Sequence, residues 1–163
     1  MHQYLCSPIG LLRIDADQRK LRGVSMAAEA DEELPCEISQ RVALQIEEYF
    51  AKKRTEFNVF CFANGTPFQL AVWSKMTEIP YGKVVTYGQL AAAIGQPTAV
   101  RAVANAVGQN PLLILYPCHR VVAADGLGGF SAGIEAKRAL LRLEGVEISE
   151  NKPFSEKFLF TFG

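Results

Sequence analysis

Hydrophobic and polar residues alternate near the start of the chain, as they do in half-buried β-strands. The alternation runs from Tyr4 to Ile14 and is interrupted by the turn-forming segment SPIG, which predicts a β-hairpin. The segment KLRGVSM, residues 20–26, predicts a third strand. After an acidic stretch, residues 29–37, which we interpret as a solvated loop, apolar residues recur at near-helical spacing and predict a helix over residues 39–53. Its apolar positions are Val42, Leu44, Ile46, Tyr49 and Phe50.

The segment ANGTPF marks a predicted boundary between two domains, residues 1–64 and residues 65–163. The dipeptide Asn-Gly forms turns, and a threonine followed by a proline is typical of the first residues of a helix. A helix is therefore expected over residues 67–77. Its apolar face would contain Phe68, Val72 and Met76.

The stretch VVTYGQLAAAIGQPTAVRAVANAVGQN predicts two short helices joined by a turn. Thr86 and Gln89 have the spacing of a capping box, Thr98 can cap the second helix, and a glycine follows each helix. This helix-turn-helix pattern is found in DNA-binding proteins and in helical hairpins that bind no DNA. The second helix is rich in alanine and carries Arg101 as its one charge, which suits close approach to a DNA backbone or close packing in a core.

Composition narrows the choice of partner and compartment. Seventeen basic and seventeen acidic residues cancel, so the strong positive charge of a non-specific nucleic-acid binder is absent. The first 66 residues carry 8 basic and 10 acidic side chains and the remainder 9 and 7, so the second half is the better partner for a polyanion. Four widely spaced cysteines without a CxxC pair predict a reducing, cytoplasmic setting, and neither a metal site nor a membrane association is expected.

The segment LLILYPCHR contains the candidate chemistry. The apolar run LLILY predicts a buried strand or extended segment that leads to Cys118, and a cysteine in such a place is usually a small apolar core residue. The adjacent imidazole of His119 can take a thiol proton, which favours a nucleophile instead. Such an imidazole needs an orienting carboxylate. The candidates are Asp125, Glu135, Glu144 and Glu147.

Glu144 ends an apolar-periodic helix, IEAKRALLRLEG, and the glycine after it can stop that helix. Between Cys118 and this helix lies GLGGFSAG, residues 126–133, which is too irregular for a phosphate-binding loop. We interpret this segment as a mobile substrate loop.

The segments PCHRVV, TYGQLA, RAVANAVGQNP and FSAG...K..LL..EG together resemble the O6-alkylguanine-DNA alkyltransferases, over about residues 65–145. The resemblance implies a DNA repair protein that removes alkyl groups from O6-alkylguanine, and from O4-alkylthymine, by one irreversible transfer to a cysteine after the base is flipped out of the duplex. It implies an α/β (α+β) fold in which a ribonuclease-H-like domain precedes a helical domain with a winged-helix-like helix-turn-helix. It further implies a monomer that binds alkylated double-stranded DNA through the minor groove and uses no cofactor and no metal.

The resemblance also implies the catalytic residues. Cys118 would accept the alkyl group, and His119 would act as its base through a water molecule. Glu144 would orient that imidazole, and Asn110 would brace the turn that carries the cysteine.

A second set of residues would bind the flipped base. Tyr87 would donate its hydroxyl to the guanine or a nearby phosphate, and Ser131 would donate toward the alkylated oxygen, with Phe130 beside it in the same loop. The carbonyls of Cys118 and Val121 would accept from the exocyclic amine. The chain departs from the family pattern near this site at Phe130, Ala132 and Ala139.

Contacts with DNA are implied mainly for the second helix of the helix-turn-helix. Arg101 would take the place of the extruded nucleotide. The other residues expected to contact DNA are Thr98, Ala99, Ala102 and Arg120.

Two other functions remain open from the residues alone. One is a non-enzymatic binder of alkylated DNA, although proteins of that kind lack the acceptor cysteine that Cys118 provides. The other is a cysteine hydrolase that uses Cys118, His119 and Glu144 on an acyl substrate. A hydrolase turns over, whereas a protein alkylated on its own cysteine reacts once.

Overall fold

The computed structural model describes residues 1–61, 63–149 and 152–163. Its contacts divide the chain into two compact units, one formed by Met1–Asn64 with Pro111–Leu115 and the other by Gly65–Asn110 with Tyr116–Gly163. The first unit is thus discontinuous, unlike the predicted domain. The physical reason is backbone pairing, because the N–H of Val24 donates to Pro111 and the N–H of Leu113 donates to Val24, each at 3.0 Å.

The first unit contains a three-stranded antiparallel sheet with one helix against it. The strands, in the order β1-β2-β3, are β1 (His2–Ser7), β2 (Gly10–Ala16) and β3 (Leu21–Met26). Ser7 pairs with Gly10 across a two-residue turn, so the predicted hairpin and third strand are confirmed.

Helix α1 (Glu37–Phe50) begins and ends earlier than residues 39–53, the range that the periodicity predicts. It begins earlier because Ser39 Oγ accepts from the N–H of Cys36 at 2.9 Å, which caps the helix, and it ends before Lys52, whose φ is +60°. The predicted apolar face is wrong at Leu44, which is 57% exposed. Three other side chains of the predicted face are buried: Val42, Ile46 and Tyr49.

The second unit is mainly helical. Its elements are α2 (Pro67–Met76), β4 (Val85–Thr86), α3 (Tyr87–Ala93), α4 (Val100–Gly108), β5 (Val121–Val122) and α5 (Ile134–Leu143), with short 3-10 helices at Cys118–Arg120 and Glu156–Phe158. Strands β4 and β5 pair in parallel. The mixed α/β class is therefore confirmed, whereas the winged-helix comparison stays a prediction.

Side-chain caps set the starts of two helices in this unit. The hydroxyl oxygens of Thr66 and Thr86 each accept from a backbone N–H three residues on, at 3.1 Å. This confirms the N-cap predicted from Thr66 before a proline and the capping box predicted from Thr86 and Gln89. The predicted cap at Thr98 is wrong. Helix α4 begins after Ala99, whose N–H donates to the carbonyl of Gln96 in a preceding turn, and no side chain caps it.

A cluster of apolar residues stabilises the second unit around its short strands. The buried members are Val84, Val122, Leu141, Val146, Phe154 and Phe158. The C-terminal segment extends the sheet, because the N–H of Val84 donates to Phe158 at 2.8 Å and the N–H of Phe160 donates to Val84 at 2.9 Å. Over the ranges that the structure describes, no helix has the length and apolar character needed to span a bilayer.

Candidate active site

Cys118 lies at the start of the 3-10 turn that precedes β5. Its N–H donates to the carbonyl of Tyr116 at 2.8 Å, and the side-chain amide of Asn110 donates to the same carbonyl at 2.7 Å. The structure thus places Asn110 where it braces this turn. Cys118 is 2% exposed, and burial raises the pKa of its thiol to about 11, against the opposing effects of a hydrogen bond with Asn110 and the charge of Lys137. The resting side chain is therefore a thiol, and its proton must leave during a reaction.

His119 and Glu144 form a buried pair next to this cysteine. Nε2 of His119 lies 2.7 Å from Oε2 of Glu144, and neither side chain is exposed. Because a carboxylate only accepts hydrogen bonds, Nε2 carries the hydrogen and Nδ1 keeps its lone pair. Nδ1 is buried and has no hydrogen-bond partner among the residues described. Burial, together with the positive charges of Arg120 and Lys137, lowers the pKa of His119 against the opposite effect of Glu144, so the resting imidazole is neutral.

Glu144 is the carboxylate that the fold brings to the imidazole. The other three candidates are exposed: Asp125, Glu135 and Glu147. Burial alone would raise the pKa of Glu144, but the hydrogen bonds from His119 and Arg120 and the charge of Arg120 hold it well below its usual range. Glu144 is therefore ionised throughout the neutral pH range.

Arg120 is part of the same buried network, which corrects the expectation that it contacts DNA. Its Nε donates to Oε1 of Glu144 at 2.8 Å, its Nη2 donates to Oε2 at 3.0 Å, and its Nη1 donates to the carbonyl of Ile79 at 2.8 Å. With 7% of its surface exposed, the guanidinium has no free face for a phosphate. From the sequence alone, the arginine of PCHR is expected at the surface, and only the fold shows that its partner is Glu144.

Lys137 is a second buried cation, and sequence reasoning missed its role. Its Nζ donates to the carbonyls of Val121 at 2.7 Å, Leu127 at 2.5 Å and Gly129 at 3.0 Å. Burial lowers its pKa to about 8. The available signal was its position on the apolar face of α5, three residues before the buried Leu140. Lys137 anchors the base of the segment that we predicted to be a mobile loop.

A cavity of about 300 Å³ lies in the second unit between α4 and this loop. Three of the predicted substrate-binding residues, Tyr87, Phe130 and Ser131, line it, together with Asn105 of α4, which sequence reasoning did not select. Burial raises the pKa of Tyr87, so its phenol keeps its proton and can donate it in a hydrogen bond. The predicted substrate residue Val121 is not among these lining residues, and its carbonyl accepts from Lys137.

Helix α4 has one buried and one exposed face. Close packing in a core, one of the two interpretations of its alanines, applies to the buried face, and close approach to DNA stays a prediction for the exposed face. Val103, Ala106 and Val107 are buried, and the indole N–H of Trp73 donates to the carbonyl of Ala106 at 2.8 Å. Of the residues expected to contact DNA, Arg101 and Ala102 are exposed on α4. Thr98 is exposed and Ala99 is half-buried just before the helix begins. The exposed face combines small side chains with one arginine.

No metal site is built from residues 1–61, 63–149 and 152–163, where no three His, Cys, Asp or Glu side chains come together. All four cysteines are free thiols.

Known proteins are similar to this chain in sequence and in fold. Residues 67–146 match the family model described as the DNA binding domain of 6-O-methylguanine DNA methyltransferase. A methylated-DNA–protein-cysteine methyltransferase from Haemophilus influenzae is 41% identical over 161 residues, covering 89% of this chain and 86% of the relative. A crystal structure of Mycobacterium tuberculosis OGT in complex with DNA matches with a TM-score of 0.81 and 39% identity, covering 88% of this chain and 91% of that one. S. pombe Atl1 in complex with damaged DNA containing O6-carboxymethylguanine matches with a TM-score of 0.54 and 30% identity, covering 61% and 99%.

Proposed function

This chain belongs to the methylated-DNA–protein-cysteine methyltransferases, which repair DNA by moving an alkyl group to one of their own cysteines, and we propose that Cys118 is that cysteine. The observation that carries the proposal is the imidazole directly after Cys118: His119 is buried against Glu144, and its Nδ1 keeps a free lone pair. The other three cysteines, Cys6, Cys36 and Cys61, all lie in the first unit.

The transfer is a displacement at a saturated carbon. The sulfur of Cys118 attacks the alkyl carbon, an S–C bond forms, and the bond to O6 breaks with its electron pair leaving on the guanine. The thiol proton passes through a bridging water to Nδ1 of His119, while Glu144 holds the other side of the ring and stabilises the imidazolium that forms. The product is a thioether, which neither water nor an imidazole cleaves under mild conditions. Each molecule therefore reacts once.

The cavity beside α4 is the proposed site of the flipped guanine. Its volume, about 300 Å³, lies at the lower end of the range typical of small-molecule sites. Hydroxyl donors from Tyr87 and Ser131 would stabilise the negative charge that develops on O6. The carbonyls of Cys118 and Val121 would accept from the exocyclic amine, and Val121 would use its second lone pair because Lys137 occupies the first.

The exposed face of α4 is the proposed DNA-binding surface. Small side chains at Thr98, Ala99 and Ala102 allow the helix to enter the minor groove, and Arg101 would fill the space that the flipped base leaves. A structural relative crystallised with DNA supports this partner. We also propose that the protein acts as a monomer and in the cytoplasm, where a reducing environment keeps the thiol of Cys118 available.

The decisive experiment is intact-mass measurement after incubation with duplex DNA that contains O6-methylguanine. We expect wild-type protein to gain one methyl group, located on Cys118 by peptide mapping. Cys118→Ser should gain none and still bind the lesion, because a hydroxyl is a far weaker nucleophile of nearly the same size. Cys6→Ser is the matched control and should react as the wild type does, because Cys6 is exposed in the first unit.

Three results would contradict the proposal. Methyl transfer by Cys118→Ser would place the acceptor elsewhere. Lesion binding by unmodified wild-type protein without any transfer would identify a binder of damaged DNA. Repeated turnover with excess lesion would identify a hydrolytic enzyme.

A further inference from the structure

Arg120 is the third member of the buried network formed with His119 and Glu144, and its guanidinium contacts a carboxylate, a backbone carbonyl and an aromatic ring. Its fork binds both oxygens of Glu144 at 2.8 and 3.0 Å, its remaining Nη donates to the carbonyl of Ile79, and its guanidinium carbon lies 5.8 Å from the centre of the Tyr81 ring. A bidentate pair of this kind fixes the plane of the carboxylate as well as its charge.

The carboxylate of Glu144 therefore has no rotational freedom. Oε1 accepts from Nε of Arg120 and from the N–H of Gly82 at 3.0 Å, while Oε2 accepts from Nη2 of Arg120 and from His119. Four donors hold two oxygens, and one of those donors is the imidazole. By fixing the orientation of the Glu144 carboxylate, Arg120 also fixes the orientation of the His119 ring that is bonded to it.

The same contact cancels a charge. An isolated buried carboxylate 2.7 Å from an imidazole would favour the imidazolium, in which both ring nitrogens carry protons and neither can act as a base. The guanidinium of Arg120 forms an ion pair with that carboxylate, so the positive charge of Arg120 cancels the negative charge of Glu144. Two further titratable groups face this pair: Tyr81 lies near Glu144, and the charge of Lys137 opposes the imidazolium as that of Arg120 does. Cys118 in turn acts on Lys137.

We propose that Arg120 is a positioning residue that neutralises Glu144 and so keeps His119 an uncharged base, with its proton on Nε2 and its Nδ1 lone pair free for the thiol proton. This inference rests on the proposed function for the role of His119, but the charge state that it assigns is a property of the protein without DNA. It assigns the arginine of PCHR to the proton-transfer step, in place of a contact with DNA.

The protonation of His119 can be measured directly. The chain has two histidines, so a His2→Gln background leaves His119 as the only imidazole in a ¹⁵N NMR titration. In the wild-type network we expect one protonated and one unprotonated ring nitrogen at neutral pH. Removing the positive charge in Arg120→Met should raise the midpoint of imidazole protonation by about 1–3 pH units, the usual effect of a neighbouring charge. The acid limb of the methyl-transfer rate should move up in pH by a similar amount.

Two further variants separate charge from fold. Arg120→Lys keeps the charge but not the fork, so we expect a midpoint near the wild-type value and slower transfer. The double variant Arg120→Met, Glu144→Gln removes both charges, remains measurable if Arg120→Met alone does not fold, and should leave the imidazole neutral as in the wild type. The inference is overturned if the midpoint is unchanged in folded Arg120→Met, or if Arg120→Lys raises it as much as Arg120→Met does. It is also overturned if the wild type carries an imidazolium at pH 7, or if the imidazole of the double variant is charged. Failure of the wild type to transfer methyl groups would instead overturn the proposed function, whatever the titration shows.

Discussion

The carboxylate of Glu144 accepts a 2.7 Å hydrogen bond from the imidazole of His119, although 25 positions separate the two residues. The contact forms because α5 ends at Leu143 and delivers the next residue to the turn that carries the imidazole. Both side chains are excluded from solvent. A substitution in this buried pair should therefore lower the free energy of unfolding by more than the same substitution in an exposed ion pair.

Glu144→Gln should lower the free energy of unfolding by about 3–5 kcal/mol, because it leaves the guanidinium of Arg120 buried without its counter-charge. The matched control is Glu135→Gln on the same helix. Glu135 pairs with Arg138 but is 80% exposed, so its loss should cost less than about 1 kcal/mol. Urea denaturation of both variants measures the difference, and equal losses would show that the Glu144 pair contributes no more than a surface pair.

Acid should destabilise the protein partly through His119. Burial lowers its pKa in the folded state from the ordinary value of 6.5, so just below pH 6.5 the unfolded chain binds a proton that the folded protein does not. This contribution to stability is complete above pH 6.5 and decreases as the pH falls, by at most about 1.4 kcal/mol per pH unit. His119→Gln should show a shallower loss between about pH 6.5 and 5 in denaturation experiments. A variant as acid-sensitive as the wild type would contradict this account.

Lys137→Met should loosen the loop over residues 126–133, because two of its backbone carbonyls, those of Leu127 and Gly129, lose the donor that ties them to Val121 of β5. We expect faster amide hydrogen exchange in that loop and slower methyl transfer. Lys53→Met replaces an exposed lysine of the first unit and serves as the control. Exchange in the loop that matches the wild type would show that other contacts hold it.

Arg101→Ala should impair repair of duplex DNA more than repair of single strands. Flipping a base out of a duplex costs a few kcal/mol, and the proposed role of Arg101 is to fill the space that the base leaves. Arg142→Ala, an exposed arginine on α5, is the control. Single-turnover rates on matched substrates measure the effect, and an equal loss on both would reassign Arg101 to a phosphate contact.

Alkylated protein should melt at a lower temperature than unmodified protein. Cys118 is 2% exposed within a braced turn, and adding atoms to such a site typically costs about 1–3 kcal/mol. For a chain of this size that corresponds to a decrease on the order of 3–10 °C, larger for a benzyl than for a methyl group. Calorimetry of the DNA-free forms tests this, and alkylated protein that melts at or above the unmodified midpoint would rule out strain in the spent protein.

Local sequence determined the features that depend on short-range contacts. The hairpin around SPIG, the third strand, and the capped starts of α2 and α3 follow from alternation, turn residues and threonine side chains that bond a backbone N–H three residues away. The candidate nucleophile and its base are adjacent in PCHR, so the sequence alone indicated that chemistry. Each of these features requires only neighbours along the chain.

Tertiary structure decided which distant groups meet. The residues alone left four candidate carboxylates, and only the family resemblance singled out Glu144. Packing brings Glu144 to the imidazole because α5 ends beside it. The sequence also could not show which groups bind the buried cations Arg120 and Lys137, because a cation enters a protein interior only where the fold supplies acceptors for its hydrogens. Those acceptors come from residues up to 41 positions away, so their positions are known only once the chain has folded.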